Sequence, residues 1–302
     1  IIPVTEYEKP KKITKFSEGF YHTLQTLDTW RASEASGNGN NIRNFNKLAE
    51  VWKDPPLQDI DHDLVETTLK KIRFKTGNST KTLNRAVSTV KKVLHLCARS
   101  GYITHVPVID KFKEEKSRGT PHYRKDQVER LIQLARERGD DSIAQAIELS
   151  AYSGLRQGEL RRLKVWDIDL HRQVLYIGGT PESRTKGRNF REVPIHPRVM
   201  PIVEYRGAST RPMNSYVFDD FPSRWNLDNR FDHVIKKLRW EDRSVTNGHV
   251  WMSLRNSYIT WALSQGTPIM TVKKWAGHSS VTVTEGYYDH NSENDHAEAA
   301  RM

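Results

Sequence analysis

Cysteine is nearly absent: the 302 residues hold one, Cys97. A lone cysteine excludes an intrachain disulfide framework and a cysteine-based zinc site within one chain, and it fits a reducing compartment. No apolar run approaches the roughly 20 residues that span a bilayer, which argues against a membrane protein. No signal peptide is present, although the chain begins at Ile1 rather than Met, which leaves room for a removed N-terminal piece. The sequence also lacks a Walker phosphate loop, a GxGxxG turn and any internal repeat. It has no Asp/Glu cluster with His of the kind a two-metal nuclease needs.

What the sequence does have is positive charge. Lys and Arg number 48 against 37 acids, for a net charge of +11 and a pI of about 9.6. The excess is spread through a mixed surface and is not a simple basic tail. Such a balance in a folded chain points first to nucleic acid, with plain solubility charge as the alternative.

The length suits two domains with real cores. Residues 1–15 read as a basic arm. From 16 to 110 the apolar spacing is helical: Phe16, Phe20, Leu24 and Leu27 form one stripe, and Ile60, Leu64, Val65 and Leu69 another. Asp61 is a fitting N-cap. Asn78-Ser79 caps a long helix with Leu83, Val87, Val90, Leu94 and Cys97 on one face, which makes Cys97 a core residue and not a reactive thiol. Residues 111–122, charged and poor in apolar side chains, read as a linker. The second domain, 123–302, is helical again to about 276, except for β-like runs at 174–177 and 190–195 that flank a polar hairpin; a Ser/Thr-rich turn and a short hydroxyl-rich segment then lead to two tyrosines and a polar C-terminal tail. The fold class expected is mainly α with a small antiparallel β-sheet, as an all-helical first domain and a mixed α/β second one.

Several residues of the second domain are of types that handle phosphate. Arg156 sits on the turn after Ser153-Gly154, where backbone can aim its guanidinium fork; an ordinary surface arginine fits that segment equally well. Glu159, three residues on, can reach back to hold it. Lys186 lies at the hairpin tip, where charge is common anyway. Arg255 falls in the first turn of an apolar helix, anchored at a cleft or merely snorkelling. Near the C-terminus AGHSSVTVTEGYY places His278 close to Tyr287 and Tyr288. Two arginines, a lysine, a histidine and a tyrosine, with no acid pair and no metal ligand set, are the parts of metal-free phosphoryl transfer through a covalent tyrosine. Lysine there serves as proton donor to the departing oxygen.

With these segments in view, the second domain resembles the catalytic domain of the tyrosine recombinases, or phage integrases, the family of lambda integrase, Cre and the Xer proteins. The matching stretches, in order, are HYRKDQVERLIQLA, AYSGLRQGELRRLKVWDI, TKGRNFREVPI, SLRNSYITWALSQG and VKKWAGHSSVTVTEGYY. LQDIDHDLVETTLKKI and STKTLNRAVSTVKKVLHLCARSGYITHVP are similar to the family's helical core-binding domain, so the resemblance covers nearly the whole chain after about residue 16.

The resemblance implies site-specific DNA recombination through a 3′-phosphotyrosyl intermediate, for integration or excision of a phage or mobile element. It makes Tyr287 the nucleophile, with Tyr288 its neighbour. Arg156 and Arg255 become the phosphate-binding arginines, Glu159 the support of Arg156, Lys186 the proton donor, and His278 a phosphate or leaving-group contact. It also implies double-stranded DNA as partner, a homotetramer on DNA working through a Holliday junction, accessory DNA-bending or directionality proteins, no cofactor, and a cytoplasmic, DNA-associated location. An N-terminal arm of 15 residues is too short for a separate arm-binding domain, unless a preceding piece has been removed.

One position departs. The family usually carries histidine three residues before the second arginine; here it is Met252, whose thioether neither carries charge nor donates a strong hydrogen bond. His249 and the Ser253 hydroxyl are the candidate substitutes. Met252 favours an alternative reading, a catalytically impaired DNA-binding regulator of the same fold, and type IB topoisomerase-like activity is a third.

Overall fold

The computed structural model describes residues 12–35, 39–114, 121–179, 190–207 and 210–287. The chain divides into two compact units, Ile1–Lys116 and Ser117–Met302.

Among the described residues of the first unit the main elements are helices, α1 (Phe16–Thr26), α2 (Asp28–Ala35), α3 (Asn41–Trp52), α4 (His62–Thr76) and α5 (Thr80–Arg99). The ends are set by local chemistry. Asp61 accepts from Leu64 N at 2.8 Å to start α4, and Gly77, at φ 64°, stops it. Ser79 caps α5 through Thr82 N. The stripe over 16–30 breaks at Leu27, which turns extended (φ −96°, ψ 104°), so one expected helix becomes α1 and α2. Phe16, Phe20, Leu48, Leu69, Val90 and Leu94 lie in a single core, with Phe20 and Phe45 stacked 4.3 Å apart. Cys97 is fully buried in it, and burial pushes its thiol up to about 11.

Contacts fasten residues at two of the expected boundaries. The arm is held from Ile13 onward: Ile13 is buried, and Thr14 O accepts from Leu57 N at 2.7 Å. The start of the expected linker is held as well. Asn84 takes the N–H of Phe112 on its Oδ1 and donates its Nδ2 to Phe112 O, which fastens 111–114 to the first unit. Pro121 and Tyr123 are tied into the second unit.

The second unit runs α6 (Lys125–Glu137), α7 (Asp141–Ser153), α8 (Gln157–Arg162), β1 (Ile168–Asp169), β2 (Val174–Ile177), β3 (Arg191–Pro194), α9 (Met200–Arg206), α10 (Arg224–Glu241), α11 (Trp251–Ser264) and α12 (Ile269–Ala276). The strands form an antiparallel sheet in the order β1-β2-β3, with Leu175 opposite Val193 and Ile177 opposite Arg191. The fold is therefore mainly α with a small antiparallel sheet. Helix α7 packs against both α6 and α11, which explains its near-continuous burial. Strand alternation buries Arg191 and Val193 on one face, so an arginine stands where a core residue is usual. The hydroxyl-rich stretch before Tyr287 is helical over 281–287.

Candidate active site

The site grows from two helix ends. Helix α7 stops at Gly154, in the left-handed region at φ 65°. A Cβ there would lie 2.4 Å from Tyr258 Cδ1, so glycine is needed for both backbone and space. The chain then turns into α8, with Arg156 as N-cap. Glu159 Oε2 accepts the Arg156 backbone N–H at 2.8 Å, and Oε1 takes its Nη1 at 2.8 Å. One carboxylate thus caps the helix and aims the guanidinium, as the i, i+3 spacing implies.

Glu159 has a second partner that sequence reasoning missed. Arg191, reaching from β3, donates Nη1 and Nη2 to Glu159 Oε1 and Oε2 at 3.0 and 2.7 Å. Burial alone would raise the Glu159 pKa; the Arg191 hydrogen bonds and charge outweigh it and hold the carboxyl at about 2. In the sequence Arg191 figured only as part of the stretch TKGRNFREVPI. The available signal was an arginine in a strand position whose alternation faces the core.

The second helix end is the C-terminus of α12, whose last carbonyls have no partner within the helix. Three successive carbonyls receive three arginines. Arg191 Nε donates to Trp275 O at 2.6 Å, Arg255 Nη2 donates to Ala276 O, and Arg156 Nη2 donates to Gly277 O at 3.2 Å. Cations at a helix C-terminus also meet the negative end of its dipole. Gly277 ends α12 at φ 68°, and a Cβ there would press on Arg191 Cδ at 3.0 Å. Arg255, only 3 % exposed, adds a bond from Nη1 to Gly154 O at 2.7 Å, joining the two helix ends. Burial, then the charge of Arg156, pulls its pKa down to about 10, so it stays charged at neutral pH. The α12 terminus is therefore a hub that gathers arginines from β3, α11 and the start of α8.

His278 follows directly. Its Nδ1 lies 3.0 Å from Thr284 Oγ1. Burial, then the fields of Arg255, Arg156 and Arg191, lowers its pKa to about 4. The Tyr287 ring stacks on it, with centroids 6.1 Å apart and planes at 17°. The Tyr287 hydroxyl donates to Asn256 Oδ1 at 3.0 Å. Burial raises the phenol pKa, against the pull of Arg255 and Arg156. Asn256 is a second residue that sequence reasoning did not single out.

Arg156, Glu159, Arg255, His278 and Tyr287 are thus brought together, whereas Lys186 and Tyr288 lie outside the described residues. Met252 is 43 % exposed, one turn before Arg255 on α11, at the rim. Its candidate substitutes are engaged elsewhere. His249 Nδ1 accepts from Thr246 N at 3.1 Å, which leaves Nε2 to donate to His122 O at 3.1 Å. Ser253 Oγ accepts from Val250 N at 3.1 Å.

A cleft of about 620 Å³ opens beside the cluster, lined by Arg156, Arg162, Lys164, Trp166, Arg191 and Tyr216 among others. Lys164 Nζ lies 4.6 Å from the Trp166 ring centre and 5.5 Å from that of Tyr216. Among the described residues, the potential metal-ligand atoms that lie close together belong to His62, Asp63 and Glu66 on α4. Two of these are already used: His62 Nδ1 accepts from Asp110 N, and Glu66 pairs with Lys70.

Within the cluster, three guanidiniums against one carboxylate leave two positive charges. That surplus matches the double negative charge of a pentacoordinate phosphodiester transition state, fixed in place before reaction.

Residues 122–294 match the phage integrase family. A tyrosine recombinase of Thermosipho africanus is 26% identical over 279 residues, covering 88% of this chain and 89% of that protein. Tyrosine recombinase XerC of Alcanivorax borkumensis is 26% identical over 285 residues, covering 88% and 90%. Among solved structures, the Tn1549 transposon integrase in complex with a circular intermediate DNA superposes with a TM-score of 0.74 at 15% identity, over 95% of this chain and 100% of that one. A lambda integrase dimer bound to a COC′ core site gives 0.66 at 17%, over 91% and 95%. These two likenesses bear on the fold.

Proposed function

The chain belongs to the phage integrase family, and from that premise we propose that it is a site-specific DNA recombinase whose nucleophile is Tyr287. The observation that carries the reading is the convergence of Tyr287, His278, Arg156 and Arg255 on the C-terminus of α12. Tyr287 Oη attacks a phosphorus held by Arg156 and Arg255 and forms a 3′-phosphotyrosyl bond as the bond to the 5′ oxygen breaks. Lys186 protonates that oxygen. The 5′ hydroxyl of a partner strand then attacks the phosphotyrosyl phosphorus and releases Tyr287. One phosphate ester replaces another at each step, so the energy of the broken bond is kept and no nucleotide cofactor is required. Integration or excision of a mobile element, as the role, rests on the family reading. The double-stranded DNA partner, a homotetramer and a Holliday-junction intermediate follow from the same family reading.

The test is a nicked duplex carrying the attachment sequence read from the DNA that flanks the gene. The wild-type chain is expected to accumulate a covalent protein–DNA adduct. Tyr287→Phe is expected to abolish it and Tyr288→Phe to retain it. An adduct lost only with Tyr288→Phe moves the nucleophile by one residue. A wild-type chain that binds this duplex without forming any adduct favours the second reading, a DNA-binding regulator, which rests on Met252.

A further inference from the structure

Asn256 directly follows Arg255 and is 3 % exposed. Both ends of its side chain are in use. Nδ2 donates to Pro121 O at 2.8 Å, and Oδ1 accepts from the Tyr287 hydroxyl at 3.0 Å. The Pro121 carbonyl is an acceptor only, so the amide group must face it, and the carboxamide oxygen must face Tyr287. The orientation is therefore dictated at one end and delivered at the other. Pro121 does not stand alone. Tyr123 N donates to Ser257 Oγ at 2.7 Å, His122 O accepts from His249 Nε2, and the Tyr123 ring is fully buried. Residues 121–123 are thus a strap fastened along α11, beside the residues that carry Arg255 and hold Tyr287.

We propose that Asn256 is the positioning residue of Tyr287, holding its phenol by the proton and tying its place to the strap 121–123. The inference rests on the reading of Tyr287 as nucleophile. A carboxamide oxygen accepts a hydrogen bond but does not keep a proton. Asn256 therefore directs the phenol without acting as base, and the proton passes to solvent when Oη bonds to phosphorus. The charged or titrating groups around the phenol are Arg255 and Arg156, with the imidazole of His278 against its ring. Asn256 is the neutral contact at the oxygen itself. Because Asn256 bonds both Pro121 and Tyr287, a displacement of the strap reaches the nucleophile through one side chain.

The experiment uses the full chain without DNA, with ¹³C-labelled tyrosine and the Tyr287 signal assigned by its loss in Tyr287→Phe. Asn256→Leu removes an acceptor that stabilises the neutral phenol, and is expected to lower the Tyr287 titration midpoint by roughly one pH unit. Asn256→Asp places a negative charge at the same oxygen and is expected to raise it. On the nicked duplex, Asn256→Leu is expected to slow adduct formation by about 10- to 100-fold, with DNA affinity within about twofold of wild type. Titration midpoints unmoved in both variants, with equal losses of melting temperature, would overturn the proposal and leave Asn256 a packing residue. An adduct mapped to a residue other than Tyr287 sinks the nucleophile reading instead, and the DNA-free titration separates that failure from a failure of the Asn256 contact.

Discussion

At neutral pH His278 is an uncharged ring, because burial and three nearby arginines hold its pKa at about 4. In the DNA-free protein the ring is therefore a neutral hydrogen-bonding group, and the positive charge of the cluster comes from arginine. The linkage follows from the sign. The folded value lies below the ordinary 6.5, so the unfolded chain takes up this proton first as pH falls. Stability from this group is intact above about pH 6.5 and declines from there to about pH 4. In the DNA-free protein the His278 ring resonances are expected to titrate near pH 4. A midpoint near 6.5 would mean an exposed ring outside the arginine field. Glu159 is the converse case, a carboxylate that two arginines keep ionised. Its contact with Arg156 was legible because three residues on a helix start bring the two side chains together. Its contact with Arg191 spans 32 residues of chain and a sheet, and no local pattern announces it.

The elements matter here mainly through their ends. Helix α7 ends and α8 begins across Gly154, and α12 ends at Gly277. The arginines bind the carbonyls left over at these ends. Gly154→Ala forces a left-handed residue to carry a Cβ into the Tyr258 ring. It is expected to cost about 1–3 kcal/mol and to displace Arg156. Thermal unfolding and the adduct assay together check this, and a variant with wild-type melting and cleavage would show that the turn has room to relax. Element types were mostly visible in apolar spacing. The misses have local causes. Leu27 turns extended and splits a continuous stripe, β1 is two residues long, and the β-branched run before Tyr287 becomes helical, where Thr284 packs against His278.

For the whole chain the net charge of +11 governs how it meets DNA. Binding by lysines and arginines that displace counterions falls linearly in log–log with salt. Anisotropy titrations on duplex DNA are expected to lose about 10³-fold or more in affinity between roughly 50 and 200 mM salt, as six or more phosphate contacts imply. A flat response would mean that the basic surface is solvating and not binding. Each unit carries its own buried core, so the two hydrophobic interiors are built independently.

The sequence alone determined what depends on near neighbours: helical periodicity, the caps at Asp61 and Ser79, the glycine stops, and the Arg156–Glu159 pair. It also placed Arg255, His278 and Tyr287 in segments whose order and spacing resemble one family. Tertiary structure decided the rest. Arg191 is a core-facing arginine only because β3 pairs with β2. Asn256 meets Tyr287 across 31 residues and Pro121 across 135. His249 closes its two nitrogens on the backbone of Thr246 and His122. The physical reason is common to all three. A hydrogen bond between segments far apart in the chain depends on where packing puts them, and side-chain type sets only whether the bond is chemically possible.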